Sequence, residues 1–155
     1  MRVSIVASLL MAWSGQAAAQ ACPEPTGWAV PTRHVAAKNA RLRFALEPDS
    51  SAQLELHVQR SVQLATKEGK SGWMNRFAGL AAVDVTKAGK LDVLLSQRAY
   101  VDLVRDGRTM QSTEHRRAKC SGIHKVVTFD VEPGRYVVQL TDSQARSIRL
   151  ATVQR

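Results

Sequence analysis

Apolar and polar residues alternate with period two along most of this chain, and that alternation is the primary guide to its elements. The clearest run is Ala40, Leu42, Phe44 and Leu46, with Arg41 and Arg43 on the opposite face. A turn cluster from Glu47 to Ser51 separates it from Ala52, Leu54, Leu56 and Val58, so the two runs are expected to pair antiparallel. After the polar, glycine-bearing stretch Lys67 to Gly72, the residues Ala81, Val83 and Val85 predict a strand, Lys87 to Lys90 a turn, and Leu91, Val93 and Leu95 the return. Ala99, Val101 and Leu103 make the next strand, and Asp106-Gly107 closes it with a dipeptide suited to a tight hairpin turn. Thr109 to Lys119 is polar and reads as a loop or a frayed edge.

The strongest signal lies between Cys120 and Leu140. Val127, Phe129 and Val131 alternate with Thr128 and Asp130, Pro133-Gly134 turns the chain, and Tyr136, Val138 and Leu140 resume the pattern. This predicts a β-hairpin with Cys120 at its base. Ser147 to Val153 supplies a last strand, with Ile148 and Leu150 facing inward or Ala151 and Val153 covering the other side. No segment keeps a helical period over a dozen residues. About eight short strands between regular turn signals predict an all-β fold, an antiparallel β-sandwich of immunoglobulin-like or jelly-roll type.

An internal echo accompanies the pattern. Val83 to Leu95 can be laid on Phe129 to Leu140 with one single-residue gap, so that Asp-Val, then small-Gly-basic, then apolar-x-Val-x-Leu recur. Two copies are too few for a solenoid. They read as two similar strand-turn-strand corners of one sandwich, or as independent convergence on the same turn chemistry.

The N-terminus changes the picture of compartment. Met1-Arg2, the short apolar run Val3 to Trp13 and the small residues Ala17 to Ala21 have the order of a secretory signal peptide over residues 1–21. Residues 22–39 carry three prolines and a glycine without periodicity and are expected to form an irregular arm pinned by Cys22 and Trp28, leaving 40–155 as the sandwich. The expected location is periplasmic or secreted, with nothing transmembrane after cleavage. Cys22 and Cys120 are the chain's two cysteines, and in an oxidising compartment they are expected to pair. The staple would close a loop of about 99 residues and contribute about 4 to 5 kcal/mol in the chain-entropy account. Lipidation of Cys22 is the competing reading, although the residues before it fit a lipid-attachment signal poorly.

With 22 Lys and Arg against 13 Asp and Glu, the chain carries +9, and +8 once Arg2 leaves with the signal peptide. Such a charge favours an anionic glycan, lipopolysaccharide phosphates or an acidic face of an envelope protein. The clustered bases are Arg105 with Arg108, and Arg116 and Arg117 with Lys119 and Lys125; these six are the candidate contacts to an anionic partner. A solvated basic surface without one partner is the plainer alternative. Aromatic residues are 5% of the chain, so the stacking platforms of a single-strand binder are missing, and export argues against nucleic acid as well.

Chemistry is harder to find. His115, Cys120 and His124 have ligand-type side chains, but the spacing matches no established zinc module and a disulfide would remove the thiolate. A periplasmic zinc or copper protein using His115 and His124 is therefore the alternative to an anion binder. Asp102 is expected on a solvated outer face or as a cross-strand partner of an arginine such as Arg135. No serine-hydrolase elbow, phosphate-binding glycine motif or cofactor signature is present, so a non-enzymatic module without a cofactor is expected.

The run Ala99-Tyr100-Val101-Asp102-Leu103-Val104-Arg105-Asp106-Gly107, followed by Cys120-x-Gly122-Ile123-x-Lys125-x-Val127-x-Phe129 and Pro133-Gly134-Arg135-Tyr136, resembles a family of short secreted bacterial proteins without an established activity. The resemblance covers roughly Phe77 to Leu140 and implies no catalytic residue. Some relatives carry a homogentisate dioxygenase label, which would require a larger cupin and a two-His, one-carboxylate iron site that no residues mark here. The strand order is also similar, more loosely, to the pre-peptidase C-terminal β-sandwich domains of secreted bacterial proteases, which implies fold alone.

Overall fold

A computed structural model of the chain describes residues 24–42, 44–67, 75–118 and 122–155. Twelve strands are found there instead of about eight: β1 Thr32–Val35, β2 Ala45–Leu46, β3 Ser51–Glu55, β4 His57–Val58, β5 Phe77–Val85, β6 Gly89–Leu95, β7 Tyr100–Arg105, β8 Arg108–Thr109, β9 Ser112–Arg116, β10 Lys125–Val131, β11 Gly134–Ser143 and β12 Ser147–Gln154. The surplus comes from short edge pieces of two to five residues, too brief for alternation to announce them.

One sheet has the order β1-β3-β12-β6-β10-β9 and the other β2-β5-β11-β7-β8, with β4 also on β5. They pack as a sandwich. Leu54, Ile148, Leu150, Leu91, Val93, Val127 and Phe129 from the first sheet meet Val83, Leu103, Tyr136, Val138 and Leu140 from the second in one continuous core. The sheets are mixed, not purely antiparallel, because β1 runs parallel to β3 and β2 parallel to β5.

Those parallel contacts correct two expectations. The arm is not irregular throughout, since β1 lies inside residues 22–39 and Ala37 bridges to Leu80 just beyond it. The runs around Leu46 and Leu54 do not pair with each other: β2 adds to β5 in one sheet, while β3 joins β1 and β12 in the other. Each run has one apolar face, and that face points to the same core from opposite sheets. Along the free edge of β5, β2, Ala37 and β4 each cover a few residues, so no long edge is left open on that side.

The strand-turn-strand units also differ from simple hairpins. β5 and β6 lie in different sheets, and so do β10 and β11, so the turns at Gly89 and Gly134 are corners over the end of the sandwich. The internal echo becomes reciprocal pairing. β6 of the first unit pairs with β10 of the second, and β5 with β11, with Gly89 opposite Val131 and Gly134 opposite Val85. The repeated Asp and base then pair between units: Asp84 accepts two 2.7 Å hydrogen bonds from Arg135, and Lys90 donates to Asp130 at 2.8 Å. Gly89 and Gly134 share a positive φ, 149° and 145°, in a region that disfavours side chains. The hairpin expected at Asp106-Gly107 is present, with both residues at positive φ between β7 and β8.

A second small cluster lies outside the first sheet. Trp28, 2% exposed, packs on Leu94, Ile123, Val126 and Ala151, so the arm is held where the sequence places an anchor. Both faces of β12 are therefore used, Ile148 and Leu150 inward and Ala151 under Trp28.

Candidate anion-binding cleft

The end of the sandwich opposite the Gly89 and Gly134 corners gathers three different connections. The chain leaves β6 there and enters β7, β9 ends, β10 begins and β11 ends. Between them lies a cleft of about 410 Å³ lined by Arg98, Ala99, Tyr100, Arg117, His124, Lys125 and Asp142.

Three bases and an imidazole converge there. Lys125 is the innermost of them. It opens β10 on the side that continues into Val127 and Phe129, so its stem enters the end of the core and its ammonium reaches the carbonyl of Ala99 at 2.6 Å. Burial, reinforced by the Arg98 guanidinium, holds the Lys125 ammonium below its usual range, and Asp102 opposes that shift more weakly. Arg98 and Arg117 are exposed and make no ion pair with any described residue. The one lining carboxylate, Asp142, is 3.2 Å from the Arg76 guanidinium, which offsets its charge. Tyr100 stands at the mouth with 43% of its surface exposed.

The six candidate bases are thus divided. Arg117 and Lys125 meet at the cleft, joined by Arg98 and His124. Arg105 lies at the far end, where it donates to the Tyr136 hydroxyl at 2.9 Å and to the Pro133 carbonyl at 3.1 Å. That hydroxyl also accepts from the Glu132 amide and donates to the Glu132 carbonyl, so Arg105 serves the corner's architecture. Arg108 faces Arg105 across the β7–β8 turn. Arg116 turns to the outer face of the first sheet, 3.4 Å from Asp92, a buried carboxylate that also accepts from Thr128 at 2.6 Å and Arg155 at 3.0 Å. Lys119 lies outside the described residues, as do Cys22 and Cys120, so the expected disulfide and signal peptide fall outside them too.

The histidines separate. His115 bonds the Ser112 hydroxyl at 2.6 Å on the exposed β9 edge, while His124 lines the cleft. Among the described residues no group of three or more His, Cys, Asp or Glu is placed to hold a metal ion.

Asp102 corrects another expectation. It is neither solvated nor paired with Arg135, which holds Asp84 instead. It accepts from the Gln139 amide at 3.2 Å, and Gln139 in turn accepts from the Ala65 and Thr66 amides. The segment before Lys67 thus covers the outer face of β7 and β11, and this buries Asp102. Arg98 is the cleft residue that sequence reasoning missed. It lies in the Ser96-Gln97-Arg98 connection with no second base beside it, and only the crossover between sheets brings it to Lys125.

No helix among the described residues is long and apolar enough to cross a membrane. No protein-family model matches this chain, and no curated protein matches it.

Proposed function

We propose that this protein is an exported, non-enzymatic β-sandwich module that binds an anionic component of the bacterial envelope through the cleft around Lys125. The observation that carries this reading is the convergence of Arg98, Arg117, His124 and Lys125, from separate parts of the chain, on one cleft whose central ammonium is held below its usual range by burial. Burying a cation beside another cation costs stability, and an anion in the cleft offsets that cost. The anionic partners that suit it are lipopolysaccharide phosphates, an acidic glycan or an acidic protein face.

The proposed compartment and staple belong to the same reading. Trp28 lies against Gly122, close enough that a Cβ there would sit 3.3 Å from the indole nitrogen, so the arm meets the segment that leads into β10. The pairing of the two cysteines rests on their even count and on the oxidising compartment proposed for the chain.

Pull-down of the processed protein on immobilised lipopolysaccharide or acidic glycan, over a salt series, tests the function. Retention should fall steeply as ionic strength approaches about 0.15 M, where exposed charges are screened beyond roughly 8 Å. Arg117→Ala and Lys125→Gln should abolish retention, while Arg108→Ala at the opposite end leaves it. Salt-insensitive retention, or equal loss with Arg108→Ala, would contradict the reading.

A further inference from the structure

We infer that the outer edge of β1 is a docking site for an extended acidic segment of a partner protein, which adds to the first sheet as a further strand. The groove beside this edge shares no residue with the cleft around Lys125, so strand docking and anion retention are lost separately.

The edge is open. β1 ends the first sheet and pairs, in parallel, with β3 alone. Just past it the Ala36 amide bonds the Glu55 carbonyl at 3.0 Å, and backbone groups alternate in direction along a strand, so the N–H and C=O of Arg33 and Val35 point away from β3. No described residue bonds them. The other edges are guarded. β5 is covered by short pieces, β8 has two residues, and β9 carries the Glu114 to Arg116 ion pair and lies against an irregularity at Thr128. β1 instead presents apolar surface: the two most exposed large hydrophobic side chains among the described residues, Val30 at 87% and Val35 at 63%, lie in or beside it.

Register and charge specify the partner. Arg33, Gln53 and Arg149 form one rung across β1, β3 and β12, and Val35, Glu55 and Ser147 form the next, all on the face away from the core. Together they line a groove of about 750 Å³ beside the arm. Its lining carboxylate, Glu55, is 3.4 Å from Arg146, and Arg149 donates to the Trp28 carbonyl at 3.2 Å. Arg33 and Arg149 make no ion pair with any described residue. A strand added here therefore places a carboxylate opposite Arg33 and, two positions along on the same face, an apolar side chain opposite Val35. Its intervening residues face the His34 and Phe44 rings, stacked with centroids 3.8 Å apart, which already close the core behind the edge, so small side chains suffice there. A second copy of this chain is the wrong partner. Pairing β1 with β1 gathers the arginines of both copies, and like charges across a strand pair oppose it.

Titration of the processed protein with the fluorescent peptide Ser-Val-Thr-Glu-Thr-Val-Ser, read by anisotropy and by amide hydrogen exchange, tests this. The peptide sets Glu opposite Arg33 and Val opposite Val35 whichever way it runs. It should bind and slow exchange of the Arg33 and Val35 amides about tenfold, and the same peptide with Lys in place of Glu should bind about tenfold more weakly. Arg33→Glu should reverse the preference between the two peptides, with an unaltered melting curve showing that the fold is intact. Equal binding of both peptides, or binding without protection of those two amides, overturns the inference. So does the absence of binding. Concentration-dependent dimerisation of the free protein that protects the same amides overturns it as well, and gives the edge to a second copy.

Discussion

Lys125 carries the tension between stability and function in this molecule. Its ammonium faces Arg98, Arg117 and His124, with Asp102 and Asp142 as the nearby carboxylates. Burial holds its pKa in the folded state below that of an ordinary lysine, so the unfolded chain binds the proton more tightly. At pH below the lowered value the residue is charged in both states and the full cost of burying the charge is present. As pH rises from that value toward the ordinary lysine range the native state sheds the proton first, and the cost fades. Lys125→Met should therefore stabilise the protein at neutral pH by an amount on the order of 1 kcal/mol or less, given its partial exposure. The difference from the native chain should narrow above neutral pH, and anion binding should be lost. Denaturant melts across a pH series check this, and a variant less stable than the native chain at every pH would contradict it. A lysine following a small polar loop and preceding Val126 and Val127 carried the basic signal in the sequence, but its burial did not. That depends on Ala99, 26 positions away, and on Arg98 beside it.

At the scale of elements, alternation told which face of each strand points inward but not which sheet the strand belongs to. Val131 and Tyr136 were legible as core residues, and Pro133-Gly134 as a turn, yet two inward faces joined by a tight turn fit a hairpin and a corner equally well. The corner prevails because β10 finds β6 and β11 finds β5, strands far back in the chain, and the reciprocal Asp84 to Arg135 and Lys90 to Asp130 pairs mark their registers. These pairs are exposed and screened by solvent, so they set register and add little to stability. The edges were the least legible, because a strand of two to four residues has too few positions to show a period. Their constraint shows at a glycine. A Cβ on Gly79 would lie 2.4 Å from the Ala36 Cβ and 3.0 Å from a Leu56 methyl, so the arm crosses β5 where nothing larger than hydrogen fits. Gly79→Ala should cost about 1 to 3 kcal/mol and shift the arm away from β5. Hydrogen exchange would show it as faster exchange at the Ala37 and Leu80 amides, which bond each other's carbonyls. Unchanged protection there would contradict the account.

The whole molecule has two unlike ends. One holds the duplicated corners, where Arg105, Lys90, Arg135 and Arg155 are each engaged with protein oxygens. The other holds the cleft, where Arg98 and Arg117 face solvent. A single total of charge could not reveal this division, because it depends on which bases find internal partners. The arm spans the outer face of the first sheet and depends on Trp28, so Trp28→Ala should free it for proteolysis around Val30 to Arg33 while the inner core stays folded. The proposed staple predicts the same phenotype for Cys120→Ser, read by limited proteolysis and non-reducing mass spectrometry; two free thiols in the exported protein would contradict the staple.

The claim that anions bind at the Lys125 end, and not over a diffuse basic surface, is tested most directly by competition labelling of amines. The processed protein is treated with an amine-reactive reagent near pH 8, with and without inorganic phosphate, and each lysine is followed by peptide mass spectrometry. The account predicts that Lys125, whose ammonium gives up its proton more readily than an ordinary lysine, is labelled despite its partial burial and is selectively protected by phosphate, while Lys38 and Lys87 are unaffected. Equal slowing at every lysine, or no protection at Lys125, would contradict it.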